Sequence, residues 1–173
     1  MWIAGKGVAA GAVQKKLLPH KFVAALGIPD ARERVGRYPG RVEAESMDLE
    51  GYTVIEVTPW ESASGGKAVS CAASRCAAQF RYDGPPGWYD LRIQYFDQNN
   101  GVSRFRLLVG DQAVDQWAAA GNFPTPRIDG SSSTRHTAAG IALRPGDGVR
   151  IEGTRDGGDA AALDYIEILP TAY

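Results

Sequence analysis

The sequence has few of the side chains on which common active sites depend. Its 173 residues include only two His and two Cys, so a zinc site or a cysteine-based triad has almost no ligands available. No run approaches the ~20 consecutive apolar residues that a membrane helix needs. The formal net charge is -1, which argues against a general nucleic-acid-binding surface. We therefore expect a globular domain that binds neither membrane nor nucleic acid.

Turn-forming residues are abundant instead, with 21 Gly and 10 Pro. Turns such as "DGPPG", "DQNNG" and "RPGDG" separate short runs rich in β-branched and aromatic residues. Consecutive strands without helical periods between them predict an all-β fold, an antiparallel β-sandwich. The predicted strands are Arg41–Ser46, Tyr52–Val57, Ala68–Cys71, Ala77–Tyr82, Gly87–Phe96, Ser103–Val109, Gln112–Trp117, Thr134–Leu143, Gly148–Gly153 and Ala162–Leu169.

Charge divides the chain into two parts. Residues 1–41 contain eight Lys and Arg but only two acidic residues, so the rest of the chain carries the excess of acid. A basic arm of this kind either binds a polyanion or links and docks a domain of a longer polypeptide. We favour the second interpretation. Pro19 and Pro29 interrupt any helix in this segment. The predicted organisation is a linker or docking segment over 1–40, as a basic N-terminal extension, and a β-sandwich over 41–173.

Acidic residues near the two ends of the sandwich suggest a metal site. Glu43 and Glu45 are separated by one residue in "VEAES", and the period of a strand places both on one face. Asp164 lies in the strand-like "ALDYIEIL" and joins them if the first and last strands are neighbours. Three carboxylates suit Ca²⁺, which takes oxygen ligands. The alternative is an exposed acidic edge.

Cys71 and Cys76 enclose four residues between two strand-like runs. We expect a disulfide across the mouth of a hairpin, which would place the domain outside the cytosol, in a secreted or periplasmic location. The alternative is a pair of small buried thiols.

Three stretches, in this order, resemble the carbohydrate-binding modules of families 6 and 35. The opening is "RVEAESM", the middle runs from "SASGGKAV" through "GWYDLRIQYFDQNNG", and the close is "IALRPGDGVRIEGTRDGGDAAALDYIEIL". The resemblance covers roughly residues 41–170. It implies a galactose-binding-like jelly roll, a structural Ca²⁺ held by Glu43, Glu45 and Asp164, and an accessory domain attached to a glycoside hydrolase.

In modules of this type the sugar usually binds in loops at one end of the sandwich, by stacking on aromatic rings and bonding to planar polar groups. The last loop departs from the family pattern, because "GTRDGGDAAA" offers Arg and Asp in place of Asn or an aromatic residue. The resemblance implies these candidate sugar contacts: Tyr52, Trp60, Asn100, Trp117, Asn122, Arg155 and Asp159.

The resulting functional hypothesis is a non-catalytic carbohydrate-binding module of a secreted polysaccharide-degrading enzyme. Its partners would be the catalytic domain of that enzyme and a plant cell-wall glycan, such as xylan or a glycan containing uronic acid. The alternative is a structural or oligomerisation domain that packs on a glycoside hydrolase catalytic domain without binding glycan. An independent enzyme is disfavoured, because no nucleophile, base and oxyanion group form a recognisable set in the sequence.

Overall fold

The computed structural model describes Tyr38 and residues 40–58 and 62–172. Most of the predicted segment 1–40 therefore lies outside the described residues. The strands are β1 Arg41–Glu43, β2 Asp48–Glu50, β3 Tyr52–Glu56, β4 Lys67–Cys71, β5 Arg75–Arg81, β6 Gly87–Phe96, β7 Arg104–Val109, β8 Gln112–Ala118, β9 Ser133–Leu143, β10 Gly148–Thr154 and β11 Leu163–Pro170. Short 3-10 turns occupy Ala44–Ser46 and Ser64–Gly66.

The strands form two sheets. The first has the order β3-β4-β11-β6-β9, and β1 also pairs with β11. The second has the order β2-β5-β10-β7-β8. All of these pairings are antiparallel. The predicted all-β sandwich is therefore confirmed. No helix in the described part of the chain has both the length and the apolar character that crossing a membrane requires.

The core lies between the two sheets and follows the alternation of the sequence. In β6, Leu91 and Ile93 are fully buried, whereas Arg92 between them is partly exposed. They pack in one apolar cluster with residues of the opposite sheet, among them Phe105, Leu107 and Ile151. Period-two burial of this kind makes one face of each sheet apolar and leaves the other face available for polar groups.

The predicted first strand is wrong beyond Glu43. Residues Ala44–Ser46 form a 3-10 turn, closed by the Met47 N–H donating to the Ala44 carbonyl at 3.1 Å. The Ser46 hydroxyl also donates to the Glu43 carbonyl at 2.7 Å. Glu45 therefore lies in a turn, and the period of a strand is not what brings it near Glu43. The sequence analysis also missed β2.

A second, smaller apolar cluster lies on the outer side of the first sheet. Phe96 follows the inward-facing Tyr95, so its ring points to the other face. It packs with Val57, Ala63 and the half-buried Ile128, among others. This cluster fastens the loop between β3 and β4, and part of the long loop between β8 and β9, to the sheet.

Candidate functional site

A group of carboxyl side chains lies where β1 runs beside β11. The first and last strands are neighbours, with Glu43 paired to Tyr165, as the metal hypothesis required. Asp164 is buried, and both of its carboxylate oxygens accept the Ser64 N–H, at 3.0 and 3.1 Å. The Ser64 hydroxyl donates to Glu43 Oε1 at 2.8 Å. The 3-10 turn at Ser64–Gly66 thus connects two of the three predicted ligands.

Burial makes ionisation of these carboxyl side chains unfavourable. Desolvation raises the pKa of Glu43 to about 7 and raises that of Asp164 well above its ordinary value, and the neighbouring carboxylates raise both further. The pKa of Glu45 is also raised, mainly by burial. Glu43 Oε2 and Glu45 Oε2 are buried without a hydrogen-bond partner. A cation would relieve both the repulsion and the missing partners.

The side chains are not gathered around a single point, however. Among the described residues, no three His, Cys, Asp or Glu side chains are arranged as a metal-binding group. The donor chemistry fits a calcium ion, since carboxylate oxygens are the ligands that this ion prefers.

Four loops meet at one end of the sandwich, namely those between β4 and β5, β6 and β7, β8 and β9, and β10 and β11. The Asn99 N–H donates to the Thr125 carbonyl at 3.0 Å, which joins the second and third of these loops. The Gly158 N–H donates to the carbonyl of residue 100 at 2.9 Å, and the Arg155 N–H donates to the Ser74 carbonyl at 3.2 Å. We call this surface the loop end.

Three of the predicted sugar contacts are exposed at the loop end. They are Asn100, Asn122 and Arg155. Asn122 has a backbone φ of 55°, in the left-handed region that asparagine tolerates better than most residues. Because each side chain comes from a different loop, the fold brings together groups that are far apart in the sequence.

Two predicted contacts are instead structural. Tyr52 is 6% exposed, and its hydroxyl donates to the Ala161 carbonyl at 2.9 Å. Asp159 is fully buried, and its carboxylate accepts the N–H groups of Ala161 at 3.0 Å and Ser103 at 3.4 Å. Neither side chain reaches solvent, so the prediction that they contact sugar is corrected.

The indole of Trp117 has both faces covered. It stacks on Phe105, with ring centres 5.1 Å apart, and on His136, with centres 4.2 Å apart. His136 is held in place by Asp115, whose Oδ2 lies 2.7 Å from Nε2. A sugar ring needs a free aromatic face, so Trp117 is not a stacking platform, which corrects that prediction. Trp60, the other tryptophan predicted to contact sugar, lies outside the described residues.

The two cysteines are joined by a disulfide, with Cα atoms 5.6 Å apart. Cys71 ends β4 and Cys76 lies in β5, so the bond closes the hairpin between them. Its position beside the loop end restrains the loop that carries Ser74.

The sequence analysis missed a groove of about 730 Å³ on the outer face of the second sheet. Its polar lining includes Arg75, Arg104, Arg106 and Arg150 together with the acids Glu50 and Glu152. The sequence does indicate a polar outer face in these strands. In "RFRLLV" arginines alternate with buried apolar residues, and in "GVRIEGT" polar residues alternate with buried ones. The arginine that was predicted to contact the ligand, Arg155, lies instead in the last loop.

Comparison with known proteins finds the same fold in carbohydrate-binding modules. The structure matches a family 35 carbohydrate-binding module from Clostridium thermocellum with a TM-score of 0.58 and 14% identity, covering 76% of this chain and 98% of that one. It matches a Podospora anserina GH26-CBM35 β-(1,4)-mannanase with a TM-score of 0.59 and 24% identity, covering 79% of this chain and 29% of that one. These matches show the fold, which is the β-sandwich that the resemblance implies. No family model matches the chain.

Curated relatives are much longer than this chain. A probable alpha-glucuronidase A of Aspergillus flavus is 42% identical over 151 residues, covering 83% of this chain and 18% of the relative. The alpha-glucuronidase A of Aspergillus tubingensis is 39% identical over 152 residues with the same coverage. The chain thus corresponds to less than a fifth of the length of these glycoside hydrolases. The match covers about 144 residues, whereas residues 41–173 number 133, so it extends into the segment before β1.

Proposed function

We propose that this chain, a β-sandwich with the fold of family 6 and family 35 carbohydrate-binding modules, is the non-catalytic glycan-binding module of an alpha-glucuronidase-like enzyme. Its ligand is a plant cell-wall polysaccharide such as xylan or a glycan that contains uronic acid. The observation that carries the proposal is the convergence of Asn100, Asn122 and Arg155, from three separate loops, on one exposed end of such a sandwich. The module holds its enzyme near the substrate and thereby raises the local concentration.

The three side chains offer the chemistry that sugar recognition uses. Each asparagine amide both donates and accepts hydrogen bonds, which matches adjacent hydroxyl groups of a pyranose. The Arg155 guanidinium offers paired donors to a carboxylate and therefore favours a uronic acid residue. Trp60 remains a proposed stacking partner.

We also propose that Glu43, Glu45 and Asp164 hold a structural Ca²⁺. The support is the burial of Asp164, the partial burial of Glu43 and Glu45, the raised pKa of each carboxyl group, and the two buried glutamate oxygens without hydrogen-bond partners. A bound ion would neutralise the charge of these carboxylates, which lie beside the turn at Ser64–Gly66. The disulfide between Cys71 and Cys76 supports a location outside the cytosol.

Affinity electrophoresis of the chain in gels containing glucuronoxylan, unsubstituted xylan or mannan tests the binding role. We expect retardation by a xylan, and about tenfold weaker binding in Asn100→Ala and in Arg155→Ala, since each removes hydrogen bonds to the ligand. Asn122→Gly is preferred to an alanine variant because it keeps the positive φ accessible. The control is Arg144→Ala, an exposed arginine between β9 and β10. Loss of binding in the control as well, or no retardation of the wild type in any gel, would contradict the proposal.

A second candidate function is packing on a catalytic domain. The Arg41 side chain is 2% exposed, and its guanidinium lies 4.0 Å from the centre of the Tyr38 ring and 3.9 Å from that of Tyr165. This contact fixes the direction in which the chain enters the sandwich. On the same sheet, Trp88 is 56% exposed. No retardation by any glycan, combined with a stable fold, favours this function over the first.

A further inference from the structure

We infer that the Asn100–Gly101 peptide is a self-modification site, at which the Gly101 backbone nitrogen attacks the Asn100 side-chain amide and releases ammonia. The modified chain then loses the contacts that join two loops of the loop end. The reaction needs no partner molecule other than water, and it proceeds whether or not the loop end binds a glycan. The inference therefore goes beyond the proposed function and does not rest on it.

Position 101 is a glycine because a neighbouring loop leaves no space for a side chain there. A methyl group on Gly101 would overlap the carbonyl of Asp156, in the loop between β10 and β11. Gly101 directly follows Asn100, which is exposed in the turn between β6 and β7. A residue without Cβ is also the one that least hinders the attack of its own nitrogen on the preceding asparagine side chain. The packing of the two loops thus requires the dipeptide that makes the asparagine reactive.

The two reacting groups are not engaged by other hydrogen bonds. Within the described part of the chain, neither the Gly101 N–H nor the side-chain amide of Asn100 makes one. The Asn100 carbonyl, in contrast, accepts the Gly158 N–H at 2.9 Å. When the Gly101 N–H loses its proton, the negative charge of the peptide lies largely on this carbonyl oxygen. The bond from Gly158 therefore stabilises the anion that attacks.

The reaction balances without an oxidant, a reductant or a metal. The Gly101 nitrogen forms a bond to Cγ of Asn100, the C–N bond of the side-chain amide breaks, and the amide NH₂ leaves as ammonia with the Gly101 proton. Water then opens the resulting imide ring. Opening of the newly formed bond gives aspartate. Opening at the former main-chain carbonyl gives isoaspartate, whose main chain passes through Cβ and is longer by one carbon atom.

Both products weaken the contact between the two loops. The Asn100 amide group lies against Gly158, where a side chain would overlap it. Asp156 belongs to the same loop as Gly158, and its carboxylate accepts the Val102 N–H at 2.9 Å. A new carboxylate at position 100 is repelled by that of Asp156. In isoaspartate, the added carbon atom also displaces the residues that follow, so the bonds from Val102 and to residue 100 are both lost.

The first test is incubation of the full 173-residue chain in mildly alkaline buffer, followed by trypsin digestion and mass spectrometry. Deamidation raises the mass of the tryptic peptide 93–104 by about 1 Da, and fragmentation identifies the residue. The other asparagines of the chain, Asn99 and Asn122, precede residues with side chains and serve as internal controls. We expect Asn100 to convert at least about tenfold faster than either. No conversion of Asn100 in the folded chain, or conversion only after urea is added, would overturn the inference.

The second test measures whether the modification separates the loops. In the incubated wild type, the amide hydrogens of Val102 and Gly158 should exchange with solvent about tenfold or more faster than in the fresh protein. The melting temperature should fall by about 4 °C or more, since two hydrogen bonds are lost. Deamidation at Asn100 without faster exchange at these two amides would show that the loops stay joined, and it would overturn this part of the inference.

Two glutamine variants show whether Asn100 is responsible. Asn100→Gln keeps an amide group, but its longer side chain closes a larger ring much more slowly, so incubation should leave its exchange and melting temperature unchanged. Asn99→Gln is the matched control and should change like the wild type. Equal changes in the two variants would contradict the assignment to Asn100. None of these measurements uses a glycan, so failure of the proposed binding function would leave their results unaffected.

Discussion

The carboxylate of Asp164 accepts the Ser64 N–H with both of its oxygens, across a sequence separation of 100 residues. This contact binds the turn between β3 and β4 to the last strand. It also holds the buried Asp164 carboxyl beside Glu43, whose charge raises the pKa of Asp164 in addition to the effect of burial. A fold that keeps such a pair buried is stabilised by a cation placed between the two groups.

Replacing Asp164 by Asn should abolish stabilisation by calcium. The substitution keeps the size of the side chain but removes a charged ligand. For the wild type, we expect millimolar CaCl₂ to raise the melting temperature measured by differential scanning fluorimetry by about 5 °C or more relative to chelator. For Asp164→Asn, we expect little difference between the two conditions.

The control for this experiment is Asp48→Asn, which neutralises an exposed carboxylate in β2. It should respond to calcium like the wild type. A wild-type protein whose melting temperature is the same in calcium and in chelator would argue against the proposed ion.

The stability of the calcium-free protein should fall as the pH rises from about 4.5 to about 7. The pKa of Glu43 is raised from 4.5 to about 7 in the fold, so in this range the folded state binds more protons than the unfolded state. The stabilisation is complete below pH 4.5 and lost above pH 7. A pKa shift of this size changes the free energy of unfolding by about 3 kcal/mol at most. Urea unfolding at pH 5 and pH 7.5 in calcium-free buffer measures this difference in the free energy of unfolding.

The raised pKa values of Glu45 and Asp164 act in the same direction. Glu43→Gln should therefore reduce the fall in stability without removing it. Saturating calcium should also reduce it, because the ion stabilises the ionised carboxylates. A calcium-free wild type that becomes more stable between pH 5 and pH 7.5 would contradict this account.

Much of the fold was predictable because burial in a sandwich follows a period of two. The predicted strand Gly87–Phe96 has the same bounds as β6, in which Leu91 and Ile93 are buried. The 3-10 turn at Ala44–Ser46 was not predictable in this way. The one-residue separation of Glu43 and Glu45 fits a strand equally well, whereas the turn depends on the hydrogen bonds that Ser46 and Met47 donate. The short β2 also escaped, because three residues are too few to display a period.

The site was less predictable, because exposure of an aromatic residue depends on its tertiary neighbours. Nothing near Tyr52 in the sequence indicates that its hydroxyl meets the carbonyl of residue 161. The covering of Trp117 by Phe105 and His136 likewise joins three different strands. The groove on the outer face of the second sheet combines residues of five strands, so its shape follows from sheet order, which local patterns do not determine.

Removing the disulfide should destabilise the domain moderately. The bond joins residues separated by five positions, and chain entropy for so short a loop gives about 2 kcal/mol. Cys71→Ala with Cys76→Ala avoids leaving free thiols in the buried positions. Urea unfolding should show a loss of about that size. A reduced wild type that matches the double variant supports an effect of the bond, whereas a loss only in the variant points to the packing of the sulfur atoms.

Trp117→Ala should lower the free energy of unfolding but leave the affinity for glycan nearly unchanged. Its indole is packed between Phe105 and His136, and truncating a tryptophan in such a position costs about 3 kcal/mol or more. Urea unfolding measures the loss, and Trp88→Ala is the matched control, since that indole is 56% exposed and its removal should cost less than about 0.5 kcal/mol. Glycan affinity at a temperature where Trp117→Ala remains folded should stay within about twofold of the wild type, because no free ring face is lost. If the variant kept full stability but lost glycan binding, Trp117 would be a sugar contact after all. The indole would then have to separate from His136 to expose a ring face.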